Sequence, residues 1–197
     1  EEILTKCIGE VEVIVVLDGV WADLPQDSRV RHIFNEQPKG MRGAINQAVA
    51  IAQGEYICKL DAHCMLDEGF DQKMLLSIAR NWVVVPRRKR LDADNWCIQH
   101  VGKPDVDYEY VTNPATDDMH GAKWDERSIK RKDILIDDCP TFQGSCWFMR
   151  RDYFYELELM DEATYGTFYN EAQEISFKAW LSGGRVKVNK HTWYAHL

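Results

Sequence analysis

No run of about 18 apolar residues occurs anywhere in this 197-residue sequence, so no segment reads as a membrane-spanning helix. A basic excess is missing too. Lys and Arg number 24 against 32 Asp and Glu, a formal net charge of −8, which argues against nucleic acid as a partner because such partners require a basic face. Cys7, Cys58, Cys64, Cys97, Cys139 and Cys146 form no Cys-x-x-Cys pair and no zinc-finger spacing. Several lie in apolar runs, where a free thiol acts as a small hydrophobe, so structural free cysteines are expected and the redox compartment stays open. Repeats, low-complexity tracts and Gly/Ser linkers are absent, as is the Gly- and Arg-rich loop that a nucleotidyltransferase would show after its first strand. What remains is an ordinary globular composition, 45% hydrophobic and 28% charged, in a chain long enough for one domain with a real core.

Along the chain, strand and helix patterns alternate. Val11 to Leu17 is a β-branched run closed by Asp18-Gly19, and Val30 to Phe34 is a second strand. Ala44, Ala48, Ile51 and Ala52 give helical spacing over Gly40 to Gln53, ended by Gly54. Glu55 to Leu60 is a third strand, Gly69 to Asn81 a helix, and Trp82 to Val85 a fourth strand stopped by Pro86. This order predicts an α/β fold with a mainly parallel sheet, flanked by helices and joined by right-handed crossovers. Ligands in such sheets bind beyond the carboxyl ends of the strands, where Asp18 and the Asp61 to His63 turn fall. Arg87 to Cys139 is polar and aperiodic and reads as a long excursion over that face. Order returns with Phe142 to Met149, with a helix over Glu171 to Ser182 that Asn170 and Gln173 cap, and with a final strand over Arg185 to Val188.

Two places carry chemistry. Asp61 and His63 are separated by one residue, and in extended chain residues two apart point to the same side. An oxygen–nitrogen pair of this kind suits Mn²⁺ or another first-row divalent cation, which would let an acidic chain bind a diphosphate. The competing reading is a turn aspartate beside a solvated histidine. Glu171 and Glu174 sit one turn apart on one helix face, near a helix start whose dipole favours ionised carboxylates; plain first-turn acids are the alternative.

Gly40, Ala44, Asn46, Gly54-Glu55-Tyr56-Ile57 and Leu60-Asp61-Ala62-His63 resemble the nucleotide-sugar half of family-two glycosyltransferases. The variant Leu60-Asp61-Ala62-His63-Cys64 with Gly69 is more similar to the polypeptide N-acetylgalactosaminyltransferases, which use Asp-x-His rather than Asp-x-Asp. Pro140-Thr141, Gly144, Arg151 to Glu156, Asp161, the helix Asn170 to Trp180 and Gly183-Gly184 follow the same family's order. The resemblance covers nearly the whole chain and is weakest over Arg87 to Cys139, where Gly121 and Trp124 echo the acceptor segment. It implies a GT-A (Rossmann-like) single domain over residues 1–197. Residues 1–86 would form the nucleotide-sugar half, 87–139 a variable loop region, and 140–197 the acceptor and catalytic half. Partners would be a UDP-sugar donor and a glycan or polypeptide acceptor, with Mn²⁺ as cofactor. The compartment would be the cytoplasm for a complete chain, or the secretory-pathway lumen for a piece of an anchored enzyme.

The resemblance also assigns roles. His196 becomes the third metal ligand beside Asp61 and His63, with His191 as the substitute. Asp18 would contact uracil or ribose, although an Asp-Gly turn fits equally. Arg42 would approach the diphosphate, or else be an exposed first-turn arginine. Gly144 and Trp147 would line the sugar pocket, with a core tryptophan as the alternative. Glu171 would hold sugar hydroxyls, supported by Glu174. Departures exist: Leu17 replaces the first of two acidic residues, and Tyr169-Asn170-Glu171-Ala172 replaces Gly-Gly-Glu-Asn. An inverting relative needs a carboxylate base after the glutamate, and Ala172 cannot accept a proton, so retention is expected. The alternatives are an inverting transferase whose base is Asp161 or Glu174, and a non-catalytic module that binds nucleotide or glycan.

Overall fold

The computed structural model describes residues 1–100 and 102–197. In chain order the elements are α1 (Glu2–Lys6), β1 (Val13–Asp18), β2 (Val30–Asn35), α2 (Gly40–Ile51), β3 (Tyr56–Leu60), β4 (Cys64–Leu66), α3 (Phe70–Leu75) and β5 (Trp82–Asp92). They continue with β6 (Cys97–Ile98), β7 (Glu109–Val111), α4 (Pro114–Asp117), β8 (Gly121–Lys123), α5 (Asp125–Lys130) and β9 (Ile136–Asp138). The last are β10 (Cys146–Arg150), α6 (Arg151–Glu156), α7 (Glu162–Tyr165), α8 (Glu171–Leu181) and β11 (Arg185–His196). Among the described residues no helix is long and apolar enough to cross a membrane, and all six cysteines are free thiols.

Strand periodicity builds the core. On β10, Trp147 and Met149 join one buried cluster while Cys146 and Phe148 join another; on β5, Val83 and Val85 join the first and Val84 the second. A period-two alternation in which both sets are apolar buries both faces of the sheet. Tyr153 and Phe154 of α6 with Ile175 and Ala179 of α8 cover the first face, and Phe70 and Met74 of α3 cover the second. The result is three layers, α/β/α.

The expected α/β architecture is present, but its sheet is mixed rather than mainly parallel. The main sheet runs β3-β10-β5-β11-β4, with β6 on β5 and β9 on β11. Among the described residues only β5–β11 is parallel within it; β10 runs antiparallel to both β3 and β5. Strands β1 and β2 form a separate parallel pair. A cavity of about 310 Å³ lined by Val11, Ile14, Ile57 and Phe148 among others lies between this pair and the main sheet. The direction of β10 was not legible because a central strand is apolar on both faces whichever way it runs.

Other boundaries move for identifiable reasons. Strand β5 passes through Pro86 to Asp92. Pro86 faces Asn189, where the β5–β11 register breaks and resumes at Arg87–Trp193, and a bulge is where a proline's missing N–H costs no ladder bond. The last strand extends from Arg185 to His196. The helix predicted over Gly69 to Asn81 ends at Leu75, and Asn170 takes a left-handed conformation with no side-chain cap bond. The excursion over 87–139 carries β6, β7, α4, β8, α5 and β9. It is anchored by the Arg87–Asp107 pair at 2.8 Å and by buried Lys190, which donates to the Tyr108 hydroxyl at 2.9 Å.

Candidate metal and donor site

Strand β3 ends at Leu60, and Asp61-Ala62-His63 turns the chain into β4. The predicted extended Asp61-x-His63 is thus a turn, and convergence comes from the fold instead. His196 pairs with Cys64 across β11 and β4, which lays its ring beside that turn. Ligand atoms of Asp61, His63 and His196 all lie within 4.8 Å of one another. His63 Nε2 is 2.8 Å from His196 Nε2, and His196 Nε2 is 3.1 Å from Asp61 Oδ2. Two imidazole nitrogens and a carboxylate oxygen converging this closely need a proton or a cation between them. The Nδ1 of His196 is buried without a partner, so the ring is engaged only through Nε2. The donor set therefore fits a divalent cation. His191 is exposed, with its backbone N–H donating to Asn189 Oδ1, and takes no part.

Behind Asp61 stands a residue that the motif reading missed. Lys59 Nζ donates to Asp61 Oδ1 at 2.6 Å and to the Gly144 carbonyl at 2.7 Å, and lies 3.6 Å from Glu171 Oε2. Its signal was present: a lone cation in the apolar run of β3, two residues before Asp61. Burial alone would push the Asp61 carboxyl up, but the His196 ring and Lys59 outweigh it and hold the carboxyl below the usual range. Burial would likewise lower the Lys59 ammonium, yet Glu171 and Asp61 raise it. Glu171 itself is pushed up by burial, against the pull of Lys59 and of the Trp147 indole N–H, which donates to Oε1 at 2.5 Å. A β-carbon at position 144 would come within 2.7 Å of Glu171 Oε2, so the glycine is required by the close approach of this carboxylate.

Three assignments need correction, those of Trp147, Arg42 and Glu174. Trp147 is 1% exposed and stacks on Phe154 with ring centroids 6.1 Å apart; it is a core tryptophan that orients Glu171, with no free face for a sugar. Arg42 and Glu174 are fully buried side chains bonded to each other. Arg42 also donates to the Tyr169 carbonyl at 2.6 Å and sits over the Tyr165 ring, so the pair is a strut between α2 and α8 rather than a diphosphate contact and a catalytic support. Asp18 accepts the backbone N–H groups of Lys39 and Gly40 at 2.9 and 2.8 Å and the Asn35 amide at 2.8 Å. It caps the start of α2, and these bonds outweigh burial to lower its pKa. Asp161 caps α7 through Ala163 and Thr164.

Residues 2–158 match the family described as glycosyl transferase family 2. Polypeptide N-acetylgalactosaminyltransferase 5 of Caenorhabditis elegans is 29% identical over 169 residues, covering 81% of this chain and 26% of that protein. Human polypeptide N-acetylgalactosaminyltransferase 10 is 28% identical, covering 80% and 26%. The chain thus spans about a quarter of the length of these curated relatives. Among solved structures, the crystal structure of GalNAc-T7 with UDP, GalNAc and Mn²⁺ superposes with a TM-score of 0.75 at 20% identity, covering 94% of this chain and 37% of that one. That likeness establishes the GT-A fold. With a family match over most of its length, the chain belongs to glycosyl transferase family 2.

Proposed function

We propose that this chain carries the donor site of a metal-dependent glycosyltransferase that moves an N-acetylhexosamine from a UDP-sugar to an acceptor hydroxyl, on Ser or Thr of a polypeptide, with retention of configuration. The observation that carries the reading is the convergence of Asp61, His63 and His196 from distant parts of the chain. Relatives that bear the transferase name, and a structural neighbour solved with UDP, GalNAc and Mn²⁺, support it. A bound Mn²⁺ would supply positive charge to the diphosphate leaving group. Asp61 and the two imidazoles would hold it, and Glu171, fixed by Trp147 and Lys59, would accept hydrogen bonds from the donor sugar. Residues 1–86 would serve the donor and 140–197 would bring Glu171 and His196 to it.

Retention follows from position 172. A methyl group there leaves backside attack without its proton acceptor, so the acceptor proton passes to the leaving diphosphate on the same face. The test is Mn²⁺-dependent hydrolysis of UDP- and GDP-sugars. UDP-N-acetylhexosamine should turn over, and His63→Ala or His196→Ala should abolish the metal-stimulated rate; full activity in EDTA refutes the assignment. An α-linked product from a UDP-α-sugar, read from the anomeric proton coupling, is expected. A β-linked product would mean that a carboxylate elsewhere acts as base.

A further inference from the structure

We propose that Lys59 is a positioning residue that ties the metal-side carboxylate of Asp61 to the sugar-side carboxylate of Glu171, so that cation binding and engagement of the donor sugar are one coupled event. This rests on the site reading above. The three N–H donors of an ammonium match three acceptors here: Asp61 Oδ1, the Gly144 carbonyl and, at longer range, Glu171 Oε2. Its side chain is only 14% exposed, so these contacts are sheltered from water. Among the described residues Lys59 is the sole Lys or Arg within ion-pair reach of either carboxylate. By taking Oδ1, it turns Oδ2 toward His196, whose Nε2 in turn stands against His63. By facing Oε2 while Trp147 holds Oε1, it also sets the rotamer of Glu171. The carboxylates come from the turn after β3 and from α8, and Lys59 and the Gly144 carbonyl form the link between them.

The sign of one measurement decides the matter. Deleting a positive charge a few ångströms from a cation site strengthens cation binding if that charge is a bystander. Deleting an outer-shell group that orients a ligand weakens binding by about 10- to 100-fold. Mn²⁺ affinity is read by electron paramagnetic resonance titration of the protein alone, with UDP, and with UDP-GalNAc. For Lys59→Met we expect Mn²⁺ affinity to fall by about 10-fold or more. We also expect the wild type to bind Mn²⁺ more tightly with UDP-GalNAc than with UDP, and this difference to vanish in the variant. Unchanged or tighter Mn²⁺ binding by Lys59→Met, or an intact difference between UDP-GalNAc and UDP, overturns the proposal. Failure of the wild type to bind Mn²⁺ at all would instead overturn the site reading beneath it. Should circular dichroism show Lys59→Met unfolded, Lys59→Gln, which keeps a donor without the charge, is read by the same criteria.

Discussion

Consider Glu174→Gln in α8. Its partner Arg42 has no exposed side-chain surface, and the other groups in contact with the guanidinium are neutral: the Tyr169 carbonyl, the Met160 sulfur and the Tyr165 ring. Removing one member of a buried pair and leaving the other charged costs about 3–5 kcal/mol. The reverse change is milder. In Arg42→Met, Glu174 keeps Lys178 Nζ at 2.8 Å and the Asp161 N–H at 3.2 Å, and Lys178 is partly solvated, so a loss of about 1.5–3 kcal/mol is expected. For a chain of this size each kcal/mol moves Tm by about 2–4 °C, so Glu174→Gln should melt roughly 6–20 °C below wild type. Guanidinium unfolding followed by tryptophan fluorescence, at constant m, measures both variants. A cost below about 1 kcal/mol for Glu174→Gln, or a larger cost for Arg42→Met, would refute the strut. Loss of turnover at unchanged stability would give Glu174 back a role on substrate.

Three further outcomes are expected. Gly144→Ala places a methyl 2.7 Å from Glu171 Oε2, and Trp147 blocks retreat, so turnover should fall on the order of 100-fold with native circular dichroism; unimpaired turnover would show that the carboxylate can give way. Asp18→Ala should cost about 1–2 kcal/mol in chemical denaturation by uncapping α2, whereas lost donor affinity at full stability would make Asp18 a ligand instead. Asp137, held well below the usual carboxylate range first by Arg131 and then, against burial, by Tyr108, contributes stability that is complete above about pH 4 and fades as pH falls through its folded-state value. Asp137→Asn should therefore trail wild type by about 1.5–3 kcal/mol at pH 7 and converge with it in strong acid; a gap independent of pH would disprove the linkage.

The central strands and α2 were legible because their apolar spacing is local: Val13 to Leu17 and Ile57 to Leu60 announce themselves within a few residues. The direction of β10 was not, since Cys146 to Met149 are apolar on both faces and so carry no directional mark. Asp61 and His63 could be read from residue type and proximity. His196 needed the family resemblance, because its partner β4 lies more than a hundred residues upstream. The roles given to Arg42, Trp147 and Glu174 failed for a common reason: composition shows that a side chain is charged or aromatic, but only packing shows whether its functional end faces solvent. Lys59 escaped notice because a single lysine in a strand is ordinarily read as an edge or surface residue, and the partners that hold it inside, Gly144 and Glu171, arrive from the other half of the chain.

The register break in β11 has an arithmetic consequence. Asn189 stands opposite Pro86 and Trp193 opposite Arg87, so residues 190–192 are surplus to the ladder, and side chains beyond them keep a fixed parity relative to β5. Side chains alternate along a strand, yet Val186 and Val188 before the break join one buried cluster and Tyr194, an even number of residues beyond them, joins the other, so the three surplus residues turn the strand over. The face that His196 presents is therefore set by the bulge as much as by the residue's identity. His196 meets the turn after β3 from a strand that changes faces where three residues bulge out between the partners of Pro86 and Arg87.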